Sequence, residues 1–352
     1  MRRTAAGAAE SSMHALRRAR FALFILLVAL IAAILGSFCL GRYAISLPTL
    51  LGLIRDGVLG RTPQADPTAV TVFYSVRLPR ILAAALIGAA LAAAGAAYQG
   101  LFRNPMVSPD LLGASSGAGF GAAVGLMLSL NLLWVSVLAF VLGVCAVLLA
   151  YGVSAVIGRG GNAVLVLILT GMVVSSLFSA FTSIIKYVAD PDDKLPAITF
   201  WLMGGLSNIT MDSLLMLLPP MAVGFVPLLL LRWRLNVLSC GEEEAQALGL
   251  NTRRLRAVFI FCATVLTSSS VAVSGVIGWV GLVIPHVARI FVGPNYRYLL
   301  PASLLTGATF LILADDIARS AFAAEIPLGI LTSVIGAPFF ILLLLRERKR
   351  GT

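Results

Sequence analysis

The 352-residue sequence has few charged residues and few of the side chains that bind metals or perform catalysis. Charged residues make up 12% of the chain, and there are only two histidines. Four cysteines are scattered without a C-x-x-C pair, so the sequence predicts neither a metal-ligand cluster nor a disulfide framework: Cys39, Cys145, Cys240 and Cys262. Only three lysines are present and none follows a glycine, which excludes a P-loop nucleotide site.

Apolar residues are what the sequence has in abundance. They account for 59% of the chain, and the mean hydropathy is +0.99, far above the balance of a soluble domain. Many apolar runs approach or exceed the roughly 18–20 residues needed to cross a bilayer. The sequence therefore predicts an all-α polytopic membrane protein. Its net charge of +11 comes from basic residues beside these runs, so it does not indicate nucleic-acid binding.

Ten apolar segments are predicted to span the membrane within one domain, residues 21–345. Residues 1–20 and 346–352 are expected to be short cytoplasmic tails. The first segment is expected to be a retained span, because no small-residue cleavage site follows it. The ten predicted spans are Phe21–Leu40, Arg77–Phe102, Leu111–Leu130, Leu132–Ile157, Ala163–Val188, Ser213–Leu231, Ala257–Ser274, Val276–Val292, Leu299–Phe322 and Pro327–Leu345.

The connecting segments and the charges predict the topology. Gly41–Val76 is expected to be an extramembrane loop, Trp201 to lie on a short interfacial helix, and three prolines to break the sixth span locally. An even number of spans places both termini on one side, and 18 of the 26 Lys and Arg residues fall on that side. The positive-inside rule then places the termini in the cytoplasm.

The longest polar run on the predicted cytoplasmic side is Gly241–Arg256, within the connection 239–256. Three carboxylates, a small apolar face and a C-terminal glycine predict a short surface helix: Glu242, Glu243, Glu244, Ala245, Leu248 and Gly249. A second helical turn is expected from Asn251, with three arginines towards its end. The alternative is a solvated loop between two spans.

The missing nucleotide, triad and metal motifs predict a transporter that is not itself an enzyme, powered by an ion gradient or by a separate ATPase. Ion-coupled carriers place ionisable groups inside the membrane, and the candidates here are Asp315, Asp316 and His286. Two carboxylates in mid-bilayer would cost about 5–7 kcal/mol. Because Arg319 lies one turn further on, the preferred interpretation is a charge cluster near the outer end of a helix. A proton relay stays open.

Three stretches carry a family resemblance: Arg77–Gly121 (beginning RLPR), Gly275–Arg319 and Glu325–Leu345 (beginning EIPLG). Together they resemble the FecCD-type permeases of type II ABC importers, which carry iron chelates and vitamin B12. The resemblance implies a vitamin B12-permease-like fold of ten helices, with short cytoplasmic coupling helices, in a prokaryotic plasma (inner) membrane. It also implies a dimer with a second copy or a paralogous permease, two cytoplasmic ATPases and an extracytoplasmic binding protein. No cofactor is expected on this chain, since ATP is used by the partners.

The resemblance also implies roles for particular residues. Arg77, Arg80 and Arg319 resemble outward arginines that form salt bridges with acidic residues of the binding protein, the alternative being ordinary interfacial anchors. A motif at the inner end of the second span matches a cytoplasmic gate, although it can equally be a helix end: Asn104, Pro105 and Met106. A second gate is expected near residues 160–165, where the local match is poor.

The polar run Gly241–Arg256 resembles the coupling helices that sit in a cleft of the ATPase. Its alanine–leucine–glycine core matches the family pattern, whereas its acidic start is more negative than that pattern. Alternating access at a dimer interface is the expected mechanism. An iron–siderophore is the expected substrate, with haem, cobalamin and molybdate open. An ion-gradient-coupled secondary transporter and a non-transporting scaffold remain the alternatives.

Overall fold

The computed structural model describes residues 2–41, 43, 45–157, 163–321 and 324–350. Within these ranges the regular structure is helical and contains no strand. A π-helical turn, Val72–Arg77, leads into the fourth helix, and a 3-10 turn, Pro109–Leu112, precedes the fifth. The helices are α1 (Arg2–Cys39), α2 (Leu47–Val58), α3 (Pro67–Thr71), α4 (Leu78–Leu101), α5 (Ala114–Met127), α6 (Leu132–Ile157), α7 (Ala163–Val188), α8 (Lys194–Met203), α9 (Met211–Cys240), α10 (Glu242–Ala247), α11 (Thr252–Ser274), α12 (Val280–Val292), α13 (Tyr296–Ser320) and α14 (Leu328–Arg350).

The all-α membrane class is confirmed, but the count of ten spans is not. In the described part of the chain, seven helical stretches are long and apolar enough to cross a membrane by length and composition. They lie in α1, in the continuous run Pro67–Leu101, and in α6, α7, α9, α11 and α13. α12 and α14 contain shorter apolar helices, and α5 has only 14 residues.

α4 is the packing centre of the bundle. Small residues recur along it at three- and four-residue spacing, which predicts close packing on several sides: Ala85, Gly88, Ala92 and Gly95. It packs against α13, α11, α12 and α9. In an apolar 18-residue stretch of the run Pro67–Leu101, 78% of the residues are buried. Gly88 faces Gly307 of α13, and Gly95 faces Gly281 of α12, so closely that an added Cβ at either position would overlap the opposite backbone. Small residues allow helices in lipid to approach to this distance, which fixes α12 and α13 on α4.

α11 is equally buried although it is rich in hydroxyl groups. Five of these hydroxyls donate to the carbonyl four residues earlier, at 2.5 to 2.8 Å: Thr264, Thr267, Ser269, Ser270 and Ser274. These local bonds satisfy the five donors within their own helix. α11 can therefore pack in the core beside α4 and α9.

Two segments differ from the predictions. Gly41–Val76 contains α2, which is capped by Ser46 and buries Leu50 and Leu53, so this connection is a folded element instead of an open loop. The sixth span is not broken at its prolines, since α9 runs unbroken over 30 residues. Inside a membrane no water replaces lost backbone hydrogen bonds, so continuing the helix costs less than interrupting it.

Candidate functional site

The start of α4 and the end of α13 bring together three arginines, three carboxylates and one serine, which we call the arginine cluster: Ser37, Arg77, Arg80, Asp315, Asp316, Arg319 and Glu325. Three positive and three negative side chains make the cluster neutral overall. A balanced set of charges can be buried, whereas a single unpaired charge in the same place would be strongly destabilising.

Arg80 stands between two carboxylates. Its Nε lies 2.9 Å from Oδ2 of Asp315 and its Nη2 lies 2.8 Å from Oδ1, which is a two-pronged ion pair. On its other edge, Nη1 and Nη2 each lie 3.1 Å from an oxygen of Glu325. The Asp315 side chain is only 2% exposed, but that of Glu325 is 39% exposed. The two partners of one guanidinium are therefore in very different surroundings.

Arg319 ties α13 to α1. It pairs closely with Asp316, lies 3.9 Å from Asp315, and donates to the backbone oxygen of Ser37 at 2.7 Å. The Ser37 hydroxyl donates in turn to Oδ1 of Asp316 at 2.6 Å. Arg77 fixes the same end of α1, because it donates to the backbone oxygens of Phe38 and Tyr43.

The structure brings the three predicted docking arginines together, but it buries them. Arg77, Arg80 and Arg319 are 3%, 7% and 8% exposed, so they are not free cations at the surface. The predicted pairing of Arg319 with the two aspartates is present. The sequence reasoning missed Arg80–Asp315 and Arg80–Glu325, whose partners are 235 and 245 positions apart. The one available signal was that Glu325 opens a stretch carrying the family resemblance.

A cavity of about 460 Å³ lies beside the arginine cluster. Arg80 and Glu325 are the charged side chains among its described lining residues. The remaining wall comes from the ends of α5, α8 and α11, from the start of α6, from residues 204–209 with Ser213 of α9, and from the segment before α14. The cavity therefore has an apolar and hydroxyl-rich wall with one ion pair in it.

Two backbone hydrogen bonds hold this wall together. The Gly205 amide donates to the Ser274 oxygen at 2.8 Å, and the Leu328 amide donates to the Gly204 oxygen at 2.9 Å. Gly204 has a φ of +71° and Gly275 a φ of +67°, so both need the conformational freedom of glycine. The ends of α8, α11 and the start of α14 consequently meet at one point.

The predicted gate motif forms the turn after α4, at the end opposite the arginine cluster. Asn104 and Met106 are exposed, Pro105 is half-buried, and the Asn104 side-chain oxygen accepts the Met106 amide at 2.9 Å. Arg103, just before it, has a left-handed φ of +52°. The motif thus ends the helix, as one interpretation expected, and its gating role stays a prediction. Residues 160–162 of the expected second gate lie outside the described residues.

The short helix of the polar run is present as α10, and Gly249, two residues after its last residue, has the left-handed φ of +77° that a glycine following a helix adopts. The two apolar residues of the predicted face lie on different sides of α10. Ala245 is fully buried against the bundle, whereas Leu248 is 70% exposed. Glu243 and Glu244 are exposed as well. α10 is therefore packed against the bundle through Ala245 and exposes Leu248 and two carboxylates on its other side.

Glu242 joins α10 to the next helix. Its carboxylate lies 2.9 Å from Arg256 and accepts the Thr252 hydroxyl at 3.1 Å. Burial by itself would raise the pKa of Glu242, but the hydrogen bond and charge of Arg256, together with the Thr252 hydroxyl, lower it below its ordinary value. The helical turn expected from Asn251 is present, because Asn251 caps α11 by accepting the Arg254 amide, but this helix does not end at the arginines. The arginines therefore begin a long helix instead of ending a short one.

The model of the FecCD transport family matches residues 26–346 of this chain. The molybdate import system permease protein MolB of Haemophilus influenzae is 41% identical over 331 residues, covering 94% of this chain and 96% of that protein. The hemin transport system permease protein HmuU of Yersinia pestis is 36% identical over 349 residues, covering 94% and 97%. Among solved structures, an inward-facing transporter assigned to the metal-chelate type of ABC transporters has 41% identity and a TM-score of 0.83, covering 92% and 98%.

Proposed function

The chain belongs to the FecCD transport family, and on this basis we propose that it is the membrane permease subunit of an ATP-driven, binding-protein-dependent importer. The observation that carries the proposal is the family match over residues 26–346, nearly the whole chain. The arginine cluster supports it against the ion-gradient alternative, because Asp315 and Asp316 are held by arginines instead of standing alone as proton carriers.

The substrate we propose is a metal chelate or a metal oxyanion. An iron–siderophore stays our prediction from the family, and the names of two relatives support molybdate and haem, which the sequence left open. Cobalamin is the fourth compound to test. Uptake measured with each of the four, in vesicles that contain the complete importer, separates these possibilities.

In the mechanism that we propose, α10 receives mechanical work from an ATPase that this chain does not contain. Leu248 projects from the surface, so it can enter a cleft of that ATPase, while Ala245 holds α10 on the bundle. α10 lies between the end of α9 and the start of α11, and both of these helices pack on α4. A displacement of α10 is thereby transmitted to the centre of the subunit. There it switches the substrate path between its inward-open and outward-open states.

The assembly that we propose has two permease subunits, two cytoplasmic ATPases and one extracytoplasmic binding protein. It resides in a prokaryotic plasma (inner) membrane, with both termini of this chain in the cytoplasm. The arginine cluster lies at the end of α4 that is opposite the gate motif and α10. A binding protein that docks there would reach Arg80 through the cavity that this side chain lines.

Leu248→Asp tests the coupling role. A charge at the exposed position 248 should abolish transport and the stimulation of ATP hydrolysis by the binding protein, because the apolar contact with the ATPase is lost. Leu248→Met is the matched control, since it keeps an apolar side chain of similar size at the same exposed position. Purified complexes in vesicles provide both measurements. Full transport by Leu248→Asp would refute the coupling role of α10.

A further inference from the structure

Of the three arginines in the cluster, Arg80 is the one with an exposed carboxylate partner among the described residues. Arg77 is bound by backbone oxygens, and Arg319 by the buried Asp316 and Ser37. Arg80 has one partner at 2% exposure, Asp315, and one at 39% exposure, Glu325. One edge of its guanidinium is thus fixed inside the bundle, and the other edge is held by a group that water can reach.

Glu325 is placed so that its side chain can leave without disturbing the backbone. The residues after it are fixed, because the Ile326 amide donates to Ala318 at 3.2 Å and the Leu328 amide donates to Gly204 at 2.9 Å. The Glu325 carboxylate itself has Arg80 as its described partner. It also lines the 460 Å³ cavity together with Arg80. Rotation of this one side chain would expose an edge of Arg80 to the cavity.

We propose that Glu325 is an internal competitor for the docking site: its carboxylate occupies the edge of Arg80 that an acidic side chain of the binding protein takes on docking. This inference rests on the proposed function. Asp315 keeps the guanidinium oriented throughout, so the incoming carboxylate meets a preorganised two-pronged donor. One carboxylate replaces another, so the cluster stays neutral in both states and no unpaired charge is buried.

The competition predicts that removing the Glu325 charge strengthens docking. The ion pair that must break joins the buried Arg80 to the partly exposed Glu325, so its worth is taken at the upper end of the range for exposed pairs, about 1 kcal/mol, which corresponds to an affinity gain of about five-fold in Glu325→Gln. The gain should lie mainly in the association rate, because the arginine edge is available before the encounter. Asp192→Asn is the matched control, since Asp192 is an exposed carboxylate near α8 at the same end of the bundle. It removes the same charge without releasing Arg80.

The experiment uses the complete permease–ATPase complex in nanodiscs and the binding protein that co-purifies with it. Binding kinetics are measured for wild type, Glu325→Gln and Asp192→Asn at low and high salt. Tighter binding in Glu325→Gln, with little change in Asp192→Asn, supports the inference. Equal or weaker binding in Glu325→Gln, or an equal gain in both variants, overturns it.

A second measurement needs no docking partner. Phenylglyoxal modifies accessible arginines, and the adduct on Arg80 is quantified by mass spectrometry in wild type and Glu325→Gln. Faster modification in the variant supports the inference, and an unchanged rate overturns it, because Glu325 would then not cover the guanidinium. Failure of the wild-type complex to dock a binding protein at all would instead overturn the proposed function. Normal docking that is indifferent to Glu325 would overturn this inference alone.

Discussion

Replacing Arg80 by methionine removes the central cation of the arginine cluster while keeping the length of its side chain. Asp315 then remains with Arg319 as its nearest described cation, at 3.9 Å. Glu325 is 39% exposed and can be solvated by water, but Asp315, at 2% exposure, cannot. The substitution therefore leaves one buried carboxylate with poor compensation.

The expected loss follows from this burial. Removing one partner of a buried ion pair costs about 3–5 kcal/mol, and the residual contact with Arg319 places the expectation near the lower end, at about 3 kcal/mol. This is more than about a 100-fold change in the unfolding equilibrium. Replacing both partners by apolar residues is often neutral or stabilising. The double variant Arg80→Met with Asp315→Leu should therefore return to within about 1 kcal/mol of wild type.

The assay is a double-mutant cycle on the unfolding free energy of the purified permease in mild detergent. Lys194→Met is the control at the same end, because Lys194 forms an ion pair with the 75% exposed Asp193. Its loss should cost less than about 1 kcal/mol. The expectation is wrong if the double variant is as unstable as the sum of the two single variants. In that case the coupling energy of the cycle would be zero, and Arg80 and Asp315 would contribute to stability independently of each other instead of as an ion pair.

Three further predictions concern packing, pH and the α1 contact. Gly95→Ile should lower the unfolding free energy by at least about 1–3 kcal/mol, because its Cβ would lie 1.8 Å from the Gly281 backbone oxygen. Gly152→Ile, with no heavy atom within 4 Å of its added Cβ, should be tolerated in the same measurement. The lowered pKa of Glu242 means that its bond to Arg256 stabilises fully above pH 4.5 and weakens as pH falls below it. The protection factors of the α10 amides, which are corrected for the intrinsic pH dependence of exchange, should therefore fall in acid in wild type but not in Glu242→Gln; an equal fall in both would refute this role of Glu242. Ser37→Ala should cost about 1–3 kcal/mol in unfolding free energy through Asp316 and Arg319; an unchanged value would refute that contact.

The sequence predicted the elements whose signal is local. Leu132–Ile157 and Ala163–Val188 coincide with α6 and α7, because long apolar runs in a bilayer must close their hydrogen bonds as helices. The small residues of α4 predicted its central position, because they let neighbouring helices approach it closely. Gly249 predicted the end of α10 through its backbone freedom.

Other features depended on contacts that no local pattern contains. Glu325 pairs with Arg80 only because α4 and the segment before α14 meet in space, 245 positions apart in the chain. Ala245 and Leu248 are three residues apart on one short helix, yet the bundle covers the first and leaves the second exposed. The sequence could show which side chains are available for pairing, but the packing of the helices decides which of them are free.

The unbroken course of α9 through its prolines has a mechanical consequence. Pro219 and Pro220 cannot donate to the carbonyls of Leu215 and Met216, so the helix is weakest near its first third. From there to Cys240, about 20 residues extend for roughly 30 Å at a rise of about 1.5 Å per residue. A change in bend of about 10° at the prolines would swing the attached α10 through about 5 Å. If α10 has the coupling role proposed above, α9 would act as a lever whose flexible point lies far from the helix that the ATPase displaces.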